Sequence, residues 1–179
     1  MKKNIYAVAA LMIIAASAFT FIQSQNWKIG EDYSIKFSGN NASGIFKGLK
    51  GTVNFDDANL ASSKFDVTVD VATINTGNGM KNTHAKSDKW FDAEKYPTIS
   101  FITSSITKTS TGYEAKGSLT MHGVTKDFIM PFSFSKKGNG AVFVSSFEIN
   151  RLDFNMQTPE PDLGAATVFK VDLNIPVHK

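Results

Sequence analysis

The chain of 179 residues contains no cysteine. No disulfide can staple it, no thiol can act as a nucleophile, and no lipid-modified N-terminal cysteine is available. Stability has to come from a hydrophobic core, and the roughly 155–160 residues that would remain after removal of an N-terminal leader are enough to build one, burying about 70% of their unfolded surface. A large charge of one sign is also lacking. The formal charge is +3, and without Lys2 and Lys3 there remain 17 basic against 16 acidic residues, or +1. That leaves no electrostatic footprint for nucleic acid, and no nucleic-acid partner is expected. Tyrosine and tryptophan are scarce, four and two, beside fifteen phenylalanines. Phenylalanine has no polar handle, so this aromatic content suits a dry interior better than a recognition surface. There is no internal repeat, low-complexity linker or second-domain boundary.

The N-terminus has a recognisable layout. Lys2 and Lys3 precede an apolar run from Ile5 to Ile22 that includes Ala16-Ser17-Ala18. This is the pattern of a secretory signal peptide cut after Ala18, and a cut near Gln25 would equally suit a fold starting at Trp27. Left uncleaved, the same run is about as long as the shortest transmembrane helices. The reading adopted is export to the periplasm or beyond, with residues 1–25 as leader and 26–179 as one domain.

Period-two alternation recurs along the rest. Phe65, Val67, Val69 and Val71 alternate with Lys64, Asp66, Thr68 and Asp70, the mark of a half-buried strand. Phe169, Val171, Leu173, Ile175 and Val177 repeat it, as do Phe128, Met130, Phe132 and Phe134, then Phe143, Phe147 and Ile149. Residues 33–38, 51–56, 98–108 and 113–121 complete eight or nine candidate strands. Thr111-Gly112, His122-Gly123 and Gly138-Asn139-Gly140 supply hairpin turns, so neighbouring strands are antiparallel. Eight such strands with one apolar face can close into a barrel, whose interior is filled by side chains or holds one small ligand. A solid two-sheet sandwich is the other architecture the pattern allows.

The longest interruption, Asn75 to Pro97, contains KNTHAKSDKWFDAEKYP. As a helix it would set His84, Asp88 and Asp92 along one face, but two turns span roughly 12 Å, too far for one ion held at about 2 Å. Catalysis finds little support: Ser87 lies three residues from His84, and no Gly-x-Ser-x-Gly elbow exists. Two readings remain. One is a solvated crossover anchored by Trp90-Phe91; the other is a loop or short helix at a barrel mouth, its cations and His84 meeting a polar head group. His122 reads as a turn residue.

In this segment the sequence resembles the YceI-like family, the polyisoprenoid-binding, lipocalin-like proteins of bacterial periplasm. The likeness rests on Thr76-Gly77, His84, Phe91-Asp92, Tyr96-Pro97-Thr98-Ile99-Ser100-Phe101, and Leu119-Thr120-Met121-His122-Gly123-Val124-Thr125-Lys126. It extends from Trp27-Lys28-Ile29 through FNMQTPEPDLGAATVFKVDLNIPV. It implies an all-β fold, an extended eight-stranded antiparallel barrel with a short helical or loop crossover near residues 80–96, an apolar tunnel for an isoprenoid or other amphipathic lipid, and no catalysis. Where members commonly carry Arg-Asp-x-His-Leu, this chain has Lys81-Asn82-Thr83-His84-Ala85. Lysine keeps the cation but loses the bidentate fork that suits phosphate.

The expected ligand site is therefore His84, Lys81 and Asn82 at a polar end, closed by Trp90 and Phe91, above an interior of Phe101, Phe128, Met130, Phe132, Phe134, Phe143 and Phe147. No catalytic residue, metal or cofactor is expected. A homodimer through a shared edge or mouth is compatible with the pattern. The alternatives are a lipid-modifying enzyme using His84 and a solid structural or adhesive protein.

Overall fold

A computed structural model describes residues 25–156 and 166–179. The leader and cleavage sites read above, apart from Gln25 itself, lie outside the described residues. Among the described residues ten strands form: β1 (Asn26–Ile29), β2 (Ser34–Gly39), β3 (Ala42–Phe46), β4 (Lys50–Asn54), β5 (Lys64–Asp70), β6 (Thr98–Lys108), β7 (Tyr113–Met121), β8 (Val124–Lys137), β9 (Gly140–Asn150) and β10 (Val168–His178). One short helix, α1 (Gly79–Lys86), lies between β5 and β6.

All the ladders are antiparallel, and they close into a ring. On its far edge β10 pairs with β2 through Asn174↔Ser34 and with β1 through Lys28↔His178. Between these, the Gly30 amide donates to the Pro176 carbonyl at 2.8 Å, so β1 and β2 are two halves of one bent stave. β3 pairs with β2, and β4 pairs with β1 and β5, making the next stave. Ten strands thus build the expected eight-stranded closed barrel, and the sandwich is excluded. The sequence reading missed β1 and β3 because Asn26–Ile29 is short and Ala-Ser-Gly-Ile-Phe does not alternate.

Successive inward side chains converge at one end of the barrel. Phe55, wholly buried, has the rings of Phe134, Tyr113, Phe143 and Phe132 at centroid distances of 4.7, 5.1, 5.4 and 5.5 Å. The Trp27 indole donates to the Phe55 carbonyl at 2.9 Å and sets its ring edge-on to Phe134. Burying each such ring contributes about 1.5–3 kcal/mol, and the edge-to-face geometry adds to that. This end is a solid plug.

At the other end the β7–β8 turn carries His122 and Gly123 at φ 51° and 74°. Two consecutive positive φ values make the tight turn whose twist matches a hairpin. A side chain at Gly123 would also meet the Tyr96 ring at 2.5 Å. Gly123→Ala is expected to lower the unfolding free energy by at least about 1–2 kcal/mol from backbone strain alone, measurable by urea denaturation. A neutral effect would mean the turn relaxes freely.

Candidate functional site

Above the plug the barrel is hollow. A cavity of about 790 Å³ opens between the staves, in the upper part of the roughly 300–1,000 Å³ range of small-molecule sites. Its floor is set by Phe65, Phe132 and Phe143, and Phe169, Val171, Leu173 and Ile175 line one wall from rim to floor. Those six residue steps span about 20 Å of strand, or about 15 Å along the axis at the ~40° tilt of such barrels. Alternation explains the wall: every second residue points inward and is apolar, while Lys170, Asp172 and Asn174 face out.

The rim is built by α1 and the segment after it. Asn78 caps the helix, its side chain accepting from the Lys81 amide at 3.1 Å. Ser87 ends it, with the hydroxyl donating to the His84 carbonyl at 2.7 Å. That hydroxyl is not on the imidazole, so Ser87 and His84 form no nucleophile–base pair. The helix stops at Lys86, which leaves Asp88 and Asp92 off the face of His84. Among the described residues no three His, Asp or Glu side chains converge as a metal site.

Met80, Lys81, His84 and Ala85, spaced i, i+1, i+4 and i+5, face the cavity. The Lys81 ammonium is exposed and reaches the Asn41 carbonyl at 3.4 Å. The Trp90 indole donates to His84 Nε2 at 2.7 Å. Indole N–H can only donate, so Nε2 carries the lone pair and the neutral ring bears its proton on Nδ1. Trp90 also lies under a cation, the Arg151 guanidinium, 4.8 Å from its ring centroid. Phe91 packs edge-on against Phe46 at 5.7 Å.

Ten of the twelve expected positions, His84, Lys81, Trp90, Phe91, Phe101, Phe128, Met130, Phe132, Phe143 and Phe147, line the cavity. Two sit elsewhere. Asn82 turns away and accepts from the amide and hydroxyl of Thr76 at 2.8 and 2.7 Å, pinning α1 to the chain before it. Phe134 belongs to the plug, 4.7 Å from Phe55 and 4.8 Å from Phe143. Its strand period is right for the interior, but its height in the barrel is below the cavity floor.

Sequence reasoning missed Phe37, Phe46, Phe65 and Phe169, which also line the cavity, and above all Arg151. Arg151 is 4% exposed, donates from Nε to the Ala166 carbonyl at 2.9 Å and from Nη1 to the Met156 carbonyl, and lines the cavity near its rim. A signal was available: it is the only arginine in a chain with eighteen lysines. A planar, always-charged fork that stacks on an indole and bonds two carbonyls is work lysine does poorly.

Among the described residues, three groups on the outer surface have displaced proton affinities. Lys95 is raised chiefly by the Tyr96 hydroxyl, Lys136 chiefly by Asp57, and Asp172 is lowered first by the Ser146 hydroxyl and then by Lys170. None of the three lines the cavity. No helix among the described residues is long and apolar enough to cross a membrane.

Comparison with known proteins adds kinship to this geometry. Residues 15–178 match the model of the YceI-like domain. Protein YceI of Escherichia coli is 30% identical, over 99% of this chain and 97% of that protein. A UPF0312 protein of Photorhabdus laumondii is 33% identical over 127 residues, 68% of this chain and 65% of the relative's length. Among solved structures, Burkholderia cenocepacia BcnA superposes with a TM-score of 0.73 at 25% identity, covering 80% of this chain and 95% of that one. A polyisoprenoid binding domain from Saccharophagus degradans shares the fold, with a TM-score of 0.57 at 12% identity over 87% of this chain and 95% of its own. The barrel, the helix at its rim and the matched length agree: this chain belongs to the YceI-like family.

Proposed function

We propose that the cavity holds a long-chain isoprenoid or similar amphipathic lipid, tail toward Phe132 and Phe143 and head group at α1. The observation that carries this reading is the division of one barrel into a solid aromatic plug and a blind apolar hollow of about 790 Å³ with a polar rim. A purely structural barrel would have no reason to leave a hollow of this size unfilled, because closing a void restores dispersion contacts. The solved polyisoprenoid binding domain of the same fold supports the class of ligand.

At the rim, Lys81 and the His84 Nδ1–H are donors, which suits a head group presenting oxygen acceptors. Lysine in place of the family's arginine makes a single-point contact rather than a bidentate one. The role is binding, not turnover. His84 is engaged by the Trp90 indole and the Ser87 hydroxyl by a backbone carbonyl, so these two form no activated nucleophile at the rim. Export to the periplasm, where the protein would carry, store or sense its lipid, is part of the same proposal and follows from the leader pattern.

The test is native mass spectrometry of protein purified from its own periplasm without detergent, followed by solvent extraction. A stoichiometric long-chain amphiphile is expected. A bare protein that also refuses added prenyl lipids would overturn the reading.

A further inference from the structure

The wall of the barrel is not hydrogen-bonded all the way round. The β8–β9 ladder covers Ser133–Lys137 against Gly140–Val144 and stops there, although β8 runs back to Val124 and β9 on to Asn150. The cause is local. Continued, the register would bring Pro131 opposite Ser146. The Pro131 carbonyl points at β9, where it accepts from the Ser145 hydroxyl at 2.5 Å. In an extended chain a residue's N–H and C=O point to the same side, so the donor the ladder needs next is the one proline lacks. Beyond that point no ladder pair joins the two strands among the described residues. The far end of the gap is closed by His122 Nδ1, 3.1 Å from the carbonyl of Phe154 in the 3₁₀ turn that follows β9.

This seam opens on the cavity. Phe128 and Met130 on β8 and Phe147 and Ile149 on β9 line the hollow along its two inner edges. What bridges it from within is the edge-to-face pair Phe128–Phe147, 5.1 Å between centroids. On the outside, Ile129 (51% exposed) sits within the gap beside exposed Asp127, Ser146 and Glu148, with exposed Val144 at the last ladder pair and Leu152 just past the end of β9. An interrupted ladder and an apolar hollow behind it therefore coincide, with the exposed side chain of Ile129 in front.

We propose that the seam is a lateral portal: the lipid's hydrocarbon tail enters the cavity sideways between β8 and β9, while the head group stays at α1. The proposal rests on the reading of the cavity as a lipid site. Lengthwise entry would drag the tail past the charged rim at Lys81 and Arg151. Sideways entry parts one aromatic pair, breaks no ladder hydrogen bond and brings the tail past Ile129 directly onto the apolar inner edges of the two strands.

The absence of native cysteine makes a clean test available. Ile129→Cys with Glu148→Cys places thiols at positions that face each other in the continued register, outside the cavity lining. Uptake and release of dansylated undecanoic acid are followed by stopped-flow fluorescence on the full chain, oxidised and reduced. Oxidation is expected to slow both rates by about tenfold or more with the Kd unchanged, as a gate does, and reduction to restore them. Equal rates in the two states would overturn the portal and leave the α1 mouth as the route. If wild-type and reduced protein take up no probe at all, the lipid-site reading fails and the portal with it. Should the thiols not join, Pro131→Val returns the missing donor opposite Ser146; several-fold slower uptake is expected, and an unchanged rate would sink the portal.

Discussion

Phe55→Ala is expected to lower the unfolding free energy by about 3–5 kcal/mol, the range for deleting a fully buried phenylalanine. Phe55 lies just past the end of β4, yet four rings from β7, β8 and β9 converge on it within 5.5 Å. Removing its ring forfeits its own burial and leaves Phe134, Phe143, Phe132 and Tyr113 facing a void. These neighbours are held by ladders on several staves and have little freedom to collapse inward, which places the cost in the upper part of the range. For a domain of this size the melting temperature falls by about 2–4 °C per kcal/mol, hence by about 10 °C. Paired urea and thermal unfolding of wild type and variant give the measurement. A loss under about 1 kcal/mol would mean that the plug repacks and is not rigid.

Leu173→Trp is expected to cost binding instead of stability. Leu173 is half-buried on β10, paired with Ser145 on one side and Ile35 on the other, and its side chain lines the cavity midway up the wall. An indole there grows into open space. Overpacking a filled core costs about 1–3 kcal/mol, but the hollow accepts the added volume, so unfolding free energy should change by less than about 1 kcal/mol. A tail excluded over about four methylenes loses about 3 kcal/mol at roughly 0.8 each, and affinity for a long-chain amphiphile should drop about 200-fold. Titration with a fluorescent fatty acid beside a urea curve separates the two effects. Undiminished affinity in a folded variant would show that the ligand does not occupy this cavity.

The two substitutions probe the two halves of the barrel, and the boundary between those halves was the part least legible in the sequence. Phe128, Met130, Phe132 and Phe134 form one uninterrupted alternating run, and period two says only that all four face inward. Phe128 and Met130 line the cavity, Phe132 is at its floor and Phe134 lies in the plug. What separates them is height along the axis, set by which rings arrive from other staves, and no local pattern encodes that. Phe55 itself went unremarked for the same reason. Pro131 was a readable signal left unused, since a proline inside an alternating run marks a place where pairing stops. Arg151, unique among the basic residues, was another.

The rim was legible in kind but not in detail. Its residue types pointed to a short helix or loop with a cation and a histidine, and α1 carries both to the cavity. The local spacing could not show that Asn82 would turn back to Thr76, because one helical position separates an inward from an outward side chain. Nor could it show that Trp90 would reach the ring of His84 and lie against Arg151, sixty-one residues further along the chain.

By itself the sequence determined an antiparallel all-β chain without disulfides, rich in a side chain that belongs in a dry interior, with one polar segment interrupting its strands. These are consequences of composition and of a two-residue period, both local properties. Only the tertiary structure decided that the sheet closes, that one end is plugged at Phe55 while the other stays hollow, and that the wall is unzipped between β8 and β9. Each of these depends on contacts between residues far apart in the chain, whose free energy exists only once the staves have been brought together.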